Sequence, residues 1–171
     1  MRKTWAVIAL FAVVAPAIAA CGKSSTDTSA NKQDELVGTW LSTGTNIPLG
    51  LRMAPIKARN IVATFNANNT YTVVSTDSSN ANTTMTGTWS AGSIANTGVM
   101  RAITVNQGTP AALTSSGIFQ VTGTTLKYEV IQTSPAIQGV SAPTVSGGFG
   151  SSAYNGAPFP GQMYVQTYVK Q

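Results

Sequence analysis

Phe65-Asn66-Ala67-Asn68-Asn69-Thr70-Tyr71 sets an Asn-rich turn between two runs in which apolar and polar residues alternate. Successive side chains of a strand point to opposite faces, so this alternation is the pattern of a half-buried strand. Asn tolerates the positive φ that tight hairpin turns require. The stretch therefore reads as two antiparallel strands and their turn. Val121-Thr122-Gly123-Thr124-Thr125 repeats the arrangement with Gly at the tight position, and Ser90-Ala91-Gly92-Ser93 opens a third connection.

Outward from these hairpins, period two runs from Glu35 to the C-terminus, and no window holds a sustained 3.6-residue apolar stripe. The pattern predicts eight strands, near residues 36–43, 60–66, 69–77, 82–91, 97–105, 113–121, 124–133 and 162–170. Alternation puts Tyr71 with Val73 on one face, and likewise Met85, Gly87 and Trp89; Leu126, Tyr128 and Val130; and Met163, Val165, Thr167 and Val169. Thr84, Thr86, Thr88 and Ser90, with Lys127 and Glu129, fall on the wet face. One buried and one solvated face is the habit of antiparallel sheets, and closure into a barrel removes their exposed edges. The fold class expected is all-β: a single up-and-down antiparallel barrel of about eight strands over residues 35–171.

Two regions break the rhythm. Asn46 to Arg59 carries Ile47, Leu49, Leu51, Met53 and Ile56 among Arg52, Lys57 and Arg59, while Pro48 and Pro55 oppose a long helix. It reads as a packed connection with a solvated basic rim, or as a lid over a barrel mouth or a membrane-touching loop. Ser134 to Gly161 is rich in Gly, Ser, Ala and Pro, with Tyr154 and Phe159 as its large anchors. A loop of that length is either functional or mobile.

Composition supports a packed core. Hydrophobic residues make up 43% of the chain and charged residues 9%, which is not the balance of a disordered polypeptide. The formal charge is +5, falling to +3 once Arg2 and Lys3 leave with a leader. No Lys/Arg block interleaved with aromatics is present, so nucleic acid is not an expected partner.

The N-terminus reads as an address. Arg2 and Lys3 precede the apolar run Trp5 to Val14, and Pro16-Ala17-Ile18-Ala19-Ala20 forms a small-residue cleavage region. The 16 residues from Trp5 to Ala20 fall short of the roughly 20 that span a bilayer. Cys21 follows directly and is the one cysteine in the chain. Residues 22–34 lack an apolar period and read as a flexible tether.

Ile18-Ala19-Ala20-Cys21 resembles the bacterial lipobox. That resemblance implies a signal peptide over residues 1–20, cleavage before Cys21, and lipidation of Cys21 by acyl chains such as palmitate. Two or three chains make a stable membrane anchor where one does not. Gly22 lacks the Asp signal for inner-membrane retention, so the outer membrane of the cell envelope is the expected location.

Leu36-Val37-Gly38-Thr39-Trp40, the hairpin Ala63 to Thr72, Gly87-Thr88-Trp89 and Thr124 to Tyr128 resemble lipocalin-like (calycin) proteins. The likeness covers roughly residues 36–133 and the last strand. It implies an eight-stranded barrel that holds a small hydrophobic ligand, with Gly38 and Trp40 as a structural motif at the closed end. In the family a basic side chain of the last strand lies over that Trp, and Lys170 is the candidate for this place. Met85, Trp89, Met100 and Tyr128 are the candidate ligand-binding wall.

Catalysis has little to work with. From residue 36 onward there is no His and no Cys, and the carboxylates are Asp77 and Glu129. A Ser-His-Asp or Cys-His site cannot be assembled, zinc or iron would lack nitrogen and sulfur ligands, and calcium needs more carboxylates. Glu129 alternates with Lys127 and reads as half of a solvated pair. The expectation is a non-catalytic lipoprotein without cofactor or metal. The alternative is a structural or interaction lipoprotein with a side-chain-filled barrel, meeting an envelope protein partner through the 134–161 loop.

Overall fold

The computed structural model describes residues 33–93 and 98–171. The signal peptide expected over 1–20, Cys21 and the tether up to residue 32 lie outside them.

Seven strands follow one another along the chain: β1 (Gly38–Thr43), β2 (Ala58–Phe65), β3 (Thr70–Asp77), β4 (Asn82–Ala91), β5 (Arg101–Thr109), β6 (Leu113–Thr122) and β7 (Thr125–Ser134). Three short strands come next, β8 (Val140–Ser141), β9 (Ala153–Tyr154) and β10 (Ala157–Pro158), and then β11 (Gln166–Lys170). The first seven and β11 close on themselves in the order β1-β11-β7-β6-β5-β4-β3-β2, and every pair is antiparallel. The chain is thus the all-β, closed antiparallel barrel that its alternation predicts. The β2–β3 turn is made as its asparagines suggest. Asn69 adopts φ 63°, its N–H donates to the Asn66 carbonyl at 3.0 Å, and Asn66 N–H donates to the Thr70 carbonyl at 2.9 Å.

One end of the barrel is plugged. Trp40 is fully buried; its indole N–H donates to the Leu36 carbonyl at 2.8 Å, and Lys170 Nζ lies 5.1 Å from its ring centre. Gly38 holds φ 141°, a conformation that side-chain-bearing residues rarely adopt, and a Cβ there would press on Lys170 Cε at 2.9 Å. Phe65, Trp89, Phe119 and Leu126 complete this core.

Three expectations are corrected. The fifth strand runs from Arg101 to Thr109 rather than over 97–105. Asn106, Gln107 and Gly108 hide its second half from a pattern search, yet Asn106 and Gln107 pair with Thr88 and Gly87. The last strand has the opposite parity. Gln166 and Tyr168 are buried while Val169 is exposed. The ladder decides this: Gln166 faces Tyr128 and Tyr168 faces Leu126 across the β7–β11 pair, and opposed residues share a face. A 3-10 turn at Pro160–Gln162 breaks the count before the strand begins.

Glu129 is the third correction. It is not solvated but fully buried, because residues beyond β7 fold back over the barrel's outer face. Within that segment β8, β9 and β10 form their own small antiparallel sheet. The Glu129 carboxyl accepts Gly150 N–H at 2.6 Å, Ser152 N–H at 3.4 Å and the Ser152 hydroxyl. Lys127 Nζ lies 5.1 Å from the Phe149 ring centre. Ile118 sits opposite Glu129 in the β6–β7 pair and is equally buried on that outer face.

Candidate functional site

At the end opposite Trp40 the barrel is hollow. A cavity of about 510 Å³ lies between β2, β3, β4, β5, β6, β7 and β11, within the range of small-molecule sites. Ile61, Val73, Met85, Val105, Leu113 and Val130 give it an apolar wall, and Leu51, Pro55 and Ile56 of the β1–β2 connection reach its mouth. Aromatic rings narrow it below. Phe65 lies 6.3 Å from both Tyr71 and Tyr128 and 5.9 Å edge-on from Trp89, and Tyr128 meets Tyr168 edge-on at 6.2 Å.

The polar groups deep in the cavity are neutral. Tyr71, Tyr128, Tyr168 and Gln166 line it. Burial pushes the Tyr128 phenol well above its ordinary value, with Tyr168 and Tyr71 adding to the shift, and burial likewise raises Tyr168 and Tyr71. All three stay protonated and able to donate at neutral pH. Gln166 is buried, and among the described residues its amide nitrogen has no hydrogen-bond partner. Among the described residues the one carboxyl in the lining is Asp77, at the end of β3, and no Lys or Arg joins it. The Ser79 hydroxyl, the N–H groups of Ala81 and Ser79, and the charge of Lys57 hold Asp77 below its ordinary value.

A second hollow, about 570 Å³, opens at the plugged end. Arg101 dominates it and is already occupied. Its guanidinium donates to both Asp34 oxygens at 3.0 and 2.7 Å and to the Gly92 carbonyl, and stacks 4.9 Å from the Phe119 ring centre. Such a paired, buried cation closes a wall rather than awaiting an anion.

The sequence-derived wall residues therefore separate. Met85 and Tyr128 line the 510 Å³ cavity. Trp89 lines the hollow at the other end, and Met100, just before β5, lines neither. Sequence reasoning misses Tyr71, Tyr168 and Gln166 as site residues. The first falls on the buried face with no role attached, and the other two take the wrong face when β11 is counted forward. Tyr168 does carry a signal: the alternation counted back from Lys170, the residue expected over Trp40, turns Tyr168 and Gln166 inward. Asp34 reads as tether, and nothing local announces its partner 67 residues away.

Neither a protein-family model, nor a curated protein, nor a solved structure matches the chain. Among the described residues no three His, Cys, Asp or Glu side chains gather as a metal site, and no helix is long and apolar enough to cross a membrane.

Proposed function

We propose that this chain is an exported lipoprotein, anchored in the envelope through Cys21, whose lipocalin-like barrel binds a small, largely apolar and uncharged molecule without catalysis. The 510 Å³ cavity carries the reading. Its aliphatic wall favours burial of apolar surface, by about 25 cal/mol per Å². With no Lys or Arg among the described lining residues, a buried carboxylate would lack a counter-charge. Neutral phenols and the unpartnered Gln166 amide suit a neutral acceptor such as an ester, ketone or amide oxygen. The absence of His and Cys after residue 36 supports binding rather than turnover.

Native mass spectrometry of protein extracted from its own host tests this. The expected result is a retained small lipid, lost when Met85→Trp fills the cavity. A chain that carries no adduct and takes up no apolar fluorescent probe would end the ligand reading. The alternative would then stand: an interaction lipoprotein using the folded 134–161 segment, which exposes Ile137, Val145 and Tyr154.

A further inference from the structure

The connection between β1 and β2 has a surface that the cavity does not explain. It is held firmly from within. Ile47 is fully buried and Leu51 packs against the core. A single helical turn, α1 (Leu49–Arg52), is tied down by Gly50 N–H donating to the Met163 carbonyl at 3.1 Å, and Lys57 N–H donates to the Met53 carbonyl at 2.9 Å. A Cβ at Gly50 would stand 2.7 Å from the Tyr164 ring, so the turn is pressed against the chain before β11.

On that scaffold Leu49, Met53 and Ile56 are about half exposed, at 47%, 53% and 46%. Three of the eight exposed large hydrophobics among the described residues thus fall within one short stretch. Exposed cations flank them at Arg52, Lys57 and Arg59. No Asp or Glu occurs between Glu35 and Asp77. Asp77 is the acid that faces Lys57, and against three cations it leaves the surface with a net positive charge.

We infer that residues 47–59 dock the open end of the barrel on an anionic lipid surface, with Leu49, Met53 and Ile56 entering the headgroup–acyl boundary and Arg52, Lys57 and Arg59 meeting the headgroups. Aliphatic side chains ringed by Lys and Arg are the composition of interfacial membrane contacts. Long basic side chains cover apolar surface while their charges stay at the headgroups. Protein interfaces draw much of their energy from Trp and Tyr anchors beside Arg, and the 47–59 stretch offers Arg52 and Arg59 without any aromatic residue. The docking rests on the loop alone and does not depend on a ligand in the cavity or on acylation of Cys21. With a ligand, it places Leu51, Pro55 and Ile56, which line the mouth, at the lipid surface.

The test uses the full chain with Cys21→Ser, which removes both the acyl anchor and the native thiol. An environment-sensitive fluorophore is attached at Met53→Cys or, as control, at exposed Tyr154→Cys. Vesicles of phosphatidylcholine with phosphatidylglycerol are compared with phosphatidylcholine alone. A blue shift and quenching by lipid-borne quenchers are expected at position 53, on anionic vesicles, and not at position 154. Each cation near such a surface is worth about fivefold in affinity. The triple variant Arg52→Gln, Lys57→Gln, Arg59→Gln should therefore weaken the response at position 53 on the order of a hundredfold. Raising salt with the three cations in place should weaken it in the same direction. Equal responses at both positions would assign the binding to residues 1–20 and overturn the inference. A silent label at position 53, or one indifferent to headgroup charge, would overturn it as well.

Discussion

Gly117 shows how closely the barrel is drawn. A Cβ at this inward position of β6 would collide with the Glu129 carbonyl oxygen, a backbone atom that cannot swing away. Glycines at such points let a strand bend as the sheet closes. Gly117→Ala is expected to cost roughly 3 kcal/mol through strain, read as a lowered urea midpoint with unchanged slope. An unaltered midpoint would mean the strands have slack there. The buried phenols give a second prediction at this scale. Tyr128 and Tyr168 have folded-state values raised by burial, while in the unfolded chain a tyrosine ionises near pH 10. Their contribution is therefore complete below about pH 10 and is lost as pH climbs toward the raised folded values. In that window the unfolded chain has released a proton that the folded chain keeps, so stability falls by about 1.4 kcal/mol per pH unit for each tyrosine. Urea melts taken across neutral to strongly alkaline pH should show this slope, and Tyr168→Phe should reduce it. Identical slopes in parent and variant would contradict the burial argument.

At the scale of elements, the two faces of β11 set opposite expectations for neighbours in sequence. Tyr168→Ala empties part of the interior and should cost about 4 kcal/mol, by analogy with other large aromatic truncations. Val169→Ala, at an exposed site, should stay within about 0.5 kcal/mol. Reversed magnitudes would restore the parity that the sequence pattern suggests. The pattern reads β3, β4, β6 and β7 nearly to the residue because each hairpin carries its own turn chemistry and its own alternation. It fails at β11, which no hairpin joins to its neighbours in space. There the register is fixed by Tyr128 and Leu126, about 40 residues earlier, through contacts a local window does not contain. Glu129 defeats the pattern for the same reason: alternation tells which face a residue takes, not whether something covers that face. The covering segment depends on that carboxyl, whose three donors come from residues 150 and 152. Glu129→Ala should detach it at a cost of about 2–3 kcal/mol, with amide exchange accelerating over residues 140–160 and not in β2–β4. Uniform acceleration would mean the segment and the barrel open as one unit.

The whole barrel has two distinct ends, and the chain enters at one of them. Asp34 is fixed to Arg101 beside the start of β1, whereas residues 44–57 join the end of β1 to the start of β2 at the opposite rim. An acylated Cys21 would thus pull on the plugged end, while the proposed docking presses the open end to the same bilayer. Chain length decides whether both hold at once. From Cys21 to Asp34 is 13 residues, a reach of at most about 45 Å. A barrel of tilted eight- to ten-residue strands is roughly 20–25 Å tall, less than the fully extended length of 13 residues. Deleting residues 23–30 leaves a reach of about 17 Å, too short to pass from the bilayer along the barrel wall to Asp34 when the mouth faces the lipid. The lipidated deletion variant should remain in the membrane fraction, yet a fluorophore at position 53 should lose its lipid contact. Replacing the deleted residues by a Gly/Ser segment of equal length should restore it, since only reach is at stake. A deletion variant whose label stays in the bilayer would show that the barrel docks without inverting, and that Asp34 does not mark the end remote from the membrane.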